Sequence, residues 1–379
     1  MYNKVIAFIR ELYHGKEFIP LHEPVFDETE IDYVNRTIQS TFVSSVGEYV
    51  DLFEKKLCQI TGSKYAIATV NGTAALHVAL KLAGVEPDDE VITQPLSFVA
   101  TANAIRYCGA HPVFLDIDIK TLGLSANCVE KFLSENCRYD GNTTFNRHTN
   151  RRVVACVPMH TFGHPCRIDD IAEICNRYHI PIVEDAAEAI GSIYQGKHAG
   201  TFGKCGILSF NGNKTITCGG GGAVITNDKT LAIAAKHLTT TAKVPGGFEY
   251  VHDTLGFNYR LPNINAALGC GQLEKLNVFV RYKRRLSEKY ERFFSSVDLP
   301  FVKEPRDAVS NYWLNAVILP TLNERNRFLK KTNDNGVTTR PAWRLLNKLP
   351  MYQTCETDSL VNANWIADRL VNIPSSVVT

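Results

Sequence analysis

Between residues 64 and 226, short apolar runs alternate with segments of helical spacing. The runs 64–70, 90–94, 112–116, 153–158, 181–185, 206–210 and 223–226 read as strands. They are continuously apolar instead of alternating, the pattern of strands covered on both faces. This predicts an α/β unit with a mostly parallel, seven-stranded-type sheet between helices. Asn71-Gly72-Thr73 opens an Ala/Leu-rich helix ending near Gly84. Ser97 is placed to cap a helix running through Phe98 to Tyr107, and another helix is expected over 126–137. Residues 138–152, carrying Arg138, Arg147, Arg151 and Arg152, read as a polar surface loop. After Gly246-Gly247 the pattern changes to a charge-laced helix over 264–294, a strand over 312–319, a helix from about Asn323, a short strand over 337–339 and a last helix near Ala363.

The chain has 379 residues, more than one hydrophobic core usually organises. The expected division is a large α/β domain over 61–250, a small α+β domain over 251–379, and a segment 1–60 that packs with the small domain or over the site. No internal repeat of solenoid length is present. Lysine and arginine total 41 against 39 acidic residues, a net charge of +2 with no basic stripe, so neither a nucleic acid nor a membrane surface is the expected partner. No apolar stretch reaches the length of a membrane span, and Lys4, Arg10 and Glu11 interrupt any leader-like core. The 11 cysteines lack the spacing of a disulfide framework, which points to reduced thiols and a cytoplasmic protein.

In an open α/β sheet, ligands sit at the carboxyl ends of the strands. At those ends stand Asn71-Gly72-Thr73, where a helix N-terminus and a hydroxyl suit a phosphate or simply cap a helix. Phe98 follows the second strand, as a stacking ring or as core. Asp185 ends the fifth and needs a cationic partner if buried, unless it caps the next turn. Ser209 ends the sixth, and the loop Asn211-Gly-Asn-Lys214-Thr presents a lysine before Gly219-Gly-Gly-Gly222. That lysine is either an amine nucleophile or a solvated side chain. The glycines precede a strand, unlike a dinucleotide fingerprint, and Gly212-Asn-Lys-Thr lacks the spacing of a Walker A loop. Cys156, His160, His164 and Cys166 cluster within a few residues, but no second compact pair follows and no metal is expected. His160, at a strand end, reads instead as facing substrate or cofactor. Together, a phosphate cradle, a stacking ring, a strand-end carboxylate and a loop lysine meet the needs of pyridoxal phosphate.

At this point the chain resembles the DegT/StrS-type sugar-nucleotide aminotransferases, pyridoxal-phosphate enzymes of aminotransferase fold type I. The matching motifs are Asn71-Gly-Thr-Ala-Ala-Leu76, Pro95-Leu-Ser-Phe98, Glu184-Asp-Ala-Ala187, Ser209-Phe-Asn-Gly-Asn-Lys214 and Gly256-Phe-Asn-Tyr-Arg260 with Leu261 to Gly269, in order along nearly the whole chain. The run Ser209 to Gly222, His237 to Pro245 and Arg340-Pro-Ala-Trp343 resemble the branch that aminates C4 of UDP-linked 4-keto-6-deoxy-N-acetylhexosamines in legionaminic-acid and bacillosamine pathways. The resemblance implies that Lys214 carries the cofactor as a Schiff base and moves protons, and that Asp185 pairs with the pyridinium nitrogen. It implies that Gly72, Thr73 and Ser209 hold the phosphate and that Phe98 stacks on the ring. Asn258 would reach the phosphate from the neighbouring subunit of a homodimer, and L-glutamate would be the amino donor. Glu188 departs from the His or Gln of many members and would lie near the cofactor's hydroxyl. The loop Thr41 to Tyr49, His160, Arg340 and Trp343 are the expected substrate-side residues. An enzyme acting on a dTDP- or GDP-linked keto sugar, or a non-catalytic regulator on the same fold, are the alternatives.

Overall fold

The computed structural model describes residues 1–246 and 248–378; Gly247, where the sequence pattern changes, lies outside them. Seven strands build the central sheet: β1 (Tyr65–Thr69), β2 (Glu90–Thr93), β3 (His111–Phe114), β4 (Val153–Val157), β5 (Val183–Asp185), β6 (Cys205–Ser209) and β7 (Gly222–Thr226). Hydrogen-bonded pairing gives β3-β2-β4 and β5-β6-β7-β1. The two halves meet through parallel bridges Cys156↔Ile182 and Met159↔Asp185. Pairings within the sheet are parallel except those of β7, which lies antiparallel between β1 and β6.

The sheet is buried on both sides, as its unbroken apolar runs require. One layer packs Ile67, Val91, Val157, Val183 and Val224 against Leu76, Val78 and Leu80 of the helix Gly72–Leu82. On the opposite side Ala68, Leu208 and Ile225 meet Phe53, Leu57 and the helix Asn263–Ser296. That 34-residue helix is a spine. Its second half carries Leu286, Tyr290 and Phe294 into a separate core with Val317, Phe328 and Val371. This smaller unit holds an antiparallel sheet in which Leu370–Ile373 lies between Asn315–Ile318 and Arg340–Pro341. The helix Tyr2–Leu12 contributes Val5, Ile6 and Ile9 to the same core, while Glu28–Ser40 and Glu48–Thr61 lie along the first half of the spine.

Three local expectations fail for physical reasons. Residues 138–152 are not one loop: Cys137–Tyr139 and Thr144–Asn146 pair as a hairpin, following a π-helical turn over Phe132–Asn136. Asn146 is buried there and donates to Glu90 at 2.8 Å, a tertiary anchor that a polar run conceals. Ser97 does not cap the helix Val99–Tyr107, whose N-cap is Phe98 without a side-chain bond. Its hydroxyl pairs instead with Thr101 Oγ1 at 2.8 Å and approaches Met159 Sδ at 3.0 Å. The short strand expected over 337–339 is reduced to a single bridge, Ile19↔Val337. Among the described residues no helix is long and apolar enough to cross a membrane, and all eleven cysteines are free.

Candidate active site

A cavity of about 310 Å³ opens at the carboxyl ends of β1, β5 and β6. Asn71, the extended residue after β1, caps the following helix by accepting the Ala74 amide at 2.8 Å. The Gly72 and Thr73 amides, in the first turn, have no intrahelical acceptor, and both residues line the cavity together with Ser209. The close approach of the two strand ends demands glycine. A Cβ on Gly72 would come within 2.8 Å of Ser209 Cβ, and one on Gly222 within 2.5 Å of the Asn71 carbonyl carbon. The glycine run thus lets β7 begin against the cradle.

Asp185 ends β5 with 4% exposure. Its Oδ2 accepts from Thr101 Oγ1 at 2.8 Å and its Oδ1 from the Ala187 amide at 3.2 Å, fixing the carboxylate plane. Among the described residues its side chain is in no ion pair, so it stands ready for a cation in the cavity. Lys214 lies on the loop between β6 and β7. Its Nζ donates to Glu188 Oε1 at 3.2 Å and sits 3.9 Å from the centre of the Trp313 ring. Trp313 in turn donates from its indole to the Asn213 carbonyl at 2.6 Å, holding the lysine loop in place. Behind it, fully buried Asn311 donates to the Glu188 and Ile190 carbonyls at 2.8 and 2.9 Å and accepts the Trp313 amide at 2.8 Å. Glu188 is buried at 2%. Burial pushes its carboxyl up to about 7, against the opposing pull of Lys214 and the Phe162 amide, with Asp185 adding to the rise.

The structure therefore brings Gly72, Thr73, Phe98, Asp185, Glu188, Ser209, Lys214 and Trp343 to one cavity. It does not bring His160 there. That ring is fully buried, accepts the Cys166 amide on Nδ1 at 3.2 Å, and so presents its Nε2–H to Glu184 at 3.0 Å. Glu184 also accepts the Gly200, Phe202 and Gly203 amides at 2.8, 2.6 and 2.7 Å. The pair is a brace behind β5, and the expectation of a substrate-side His160 gives way to a structural one. Glutamine at 184 would turn a donor toward donors. Glu184→Gln is expected to cost about 3 kcal/mol, read as a lowered unfolding midpoint; an unchanged midpoint would contradict the brace. Arg340 also lies outside the cavity, exposed, with Nη1 bonded to Asn333 and the Thr339 carbonyl. Asn258 is exposed, accepts from Arg260 Nε at 3.1 Å, and is not in this chain's cavity wall. Among the described residues no cluster suits a metal; His164, of the cysteine–histidine group, is buried with both ring nitrogens unpartnered. Sequence reasoning missed Thr101, Asn311 and Trp313. The one signal was the polar-aromatic string Ser310-Asn-Tyr-Trp313 at the start of an apolar strand.

These residues fit pyridoxal phosphate: an anion cradle whose glycines cannot carry a Cβ, a fixed carboxylate awaiting a cation, and a lysine aimed into the cavity. A fold and a site of this kind define a pyridoxal-phosphate-dependent aminotransferase. The sequence profile described as the DegT/DnrJ/EryC1/StrS aminotransferase family matches residues 24–378, and the chain belongs to that family. It is 37% identical over 359 residues to "GDP-perosamine synthase" of Escherichia coli O157:H7, covering 95% of this chain and 93% of that one. Among solved structures, the aminotransferase TlmJ of Streptoalloteichus hindustanus superposes with a TM-score of 0.85 at 28% identity, over 94% and 93% of the two chains. PseC of Helicobacter pylori, an aminotransferase involved in the biosynthesis of pseudoaminic acid, does so with 0.85 at 26% identity, over 95% and 94%.

Proposed function

We propose that this aminotransferase moves the amino group of L-glutamate onto the ketone of a GDP-linked keto sugar. The observation that carries the nucleotide is the 37% identity, over 95% of the chain, to a relative named for making GDP-perosamine. The string Ser209 to Gly222 led instead to a UDP-linked 4-keto-6-deoxy-N-acetylhexosamine, and the whole-chain similarity outweighs that local likeness. A dTDP-linked sugar stands behind both.

When bound, pyridoxal phosphate supplies a carbonyl carbon that accepts and passes on an amino group and a ring that spreads the resulting charge. In this reading Gly72, Thr73 and Ser209 bind the phosphate, Asp185 holds a proton on the ring nitrogen, and Phe98 covers the ring. Lys214 Nζ is the covalent anchor, and it moves the proton at the α-carbon of glutamate and at the sugar carbon that becomes C–N. Trp313 and Trp343 wall the cavity against water. Asn258, exposed outside its own cavity, serves a second copy in a homodimer, and the free thiols suit the cytoplasm. The retained Lys214 and Asp185 argue against a non-catalytic regulator.

The test is mass spectrometry of products from GDP-, UDP- and dTDP-linked keto sugars with L-glutamate. The GDP sugar is expected to gain an amine at least about tenfold faster in kcat/KM than the others, a discrimination of about 1.4 kcal/mol. Faster turnover of a UDP sugar would return the assignment to the motif reading. No shift of the visible cofactor band on adding glutamate would remove glutamate as the amino donor.

A further inference from the structure

Glu188 is left over once phosphate, ring nitrogen and covalent anchor have their residues. Its side chain is 1% exposed and its Oε1 points at Lys214 Nζ, 3.2 Å away. The other oxygen is committed: Oε2 accepts the Phe162 amide at 2.8 Å. That amide belongs to a turn fixed by left-handed backbone at Phe162, φ 58, and Gly163, φ 91. Asn311 ties down the Glu188 carbonyl from the far side. One oxygen is thus pinned and the other is left with Lys214 as its hydrogen-bond partner.

We propose that Glu188 is a second catalytic proton carrier, taking the ammonium proton of Lys214 onto Oε1 so that the amine becomes free to react, and returning it afterwards. The step balances within the pair. The N–H bond at Lys214 Nζ breaks, an O–H bond at Glu188 Oε1 forms, and both partners become neutral. Burial narrows the gap between the charged and the neutral pair, since each charge is costly out of water. A carboxyl lifted toward neutrality by burial exchanges a proton at little cost. The titratable groups acting on Glu188 are Lys214 and, with the opposite sign, Asp185. Near the lysine, His22 is held neutral by burial and then by the charges of Lys283 and Lys214, so it does not compete for the proton. Trp313 offers the ammonium a ring face but no site for its proton.

The inference rests on the cofactor reading above, and the experiment separates the two. Apoprotein is mixed with pyridoxal phosphate alone, without donor or sugar, and growth of the visible band is followed across pH. The wild-type rate is expected to rise as the pH climbs through about 7, where Glu188 ionises. In Glu188→Gln, which keeps the shape and a hydrogen bond, that rise is lost and the rate near neutrality falls on the order of 100-fold. Should the glutamine form be too unstable to purify, Glu188→Ala with added formate replaces it, and the rate should climb with formate concentration. A wild-type pH profile in Glu188→Gln, or a formate-independent rate in Glu188→Ala, overturns the proton carrier while leaving the aminotransferase intact. A wild-type protein that forms no band overturns both.

Discussion

Lys214→Ala is expected to lower turnover on the order of 10,000-fold, because in the proposed reaction one side chain serves as both covalent anchor and proton carrier. The substitution removes the amine that lies between Glu188 and the Trp313 ring. It leaves Gly72, Thr73 and Ser209, the proposed phosphate cradle, untouched, so the variant should still take up the cofactor. After borohydride treatment, peptide mass spectrometry should find the cofactor joined to the Lys214 peptide in the wild type and to no peptide in the variant. Turnover within about tenfold of wild type would mean that another group moves the protons.

The second large effect is at Asp185. Asparagine keeps the size of the side chain and can keep a bond to Thr101, but it removes the negative charge. In the proposed reading, the site without that charge would no longer favour a protonated ring nitrogen, and charge developing during the reaction would lose its counterweight. Asp185→Asn is expected to cost on the order of 100- to 1,000-fold in kcat at saturating cofactor, the range for removing one preorganised electrostatic partner. Thr101→Val gives a graded control: the carboxylate stays but loses the hydroxyl that orients it. If both variants lose the same small factor, Asp185 orients the pocket and its charge contributes little.

Much of this arrangement is legible in the chain because sheet strands and strand ends are encoded locally. Unbroken apolar runs mark β1 to β7, and the residue after each run lies at the site end wherever the strands are parallel. Asp185, Ser209 and Asn71-Gly72-Thr73 are found that way, and Lys214 follows from the loop that β6 feeds. What sequence does not encode is which strand-end residue turns inward. His160 sits at such an end, yet its ring is taken by Glu184 behind the sheet. Thr101, Asn311 and Trp313 reach the site only through packing between distant segments, with no spacing to betray them. Asn146 shows the same limit in a polar stretch whose buried anchor, Glu90, lies far away in sequence.

The antiparallel strand β7 has a consequence for biosynthesis. β1 is made early, but its ladder partner pairs residue 65 with residue 226. Until the ribosome has released β7, the backbone of β1 has no ladder partner in the sheet. Pairing across so much chain is entropically expensive and slow. Nascent chains that end before Gly222 should therefore be the ones that chaperones hold, and release should coincide with the same event that seats the glycine run against the phosphate cradle. Completion of the sheet and closure of the turn at Asn71-Gly72 are one step in the life of the chain.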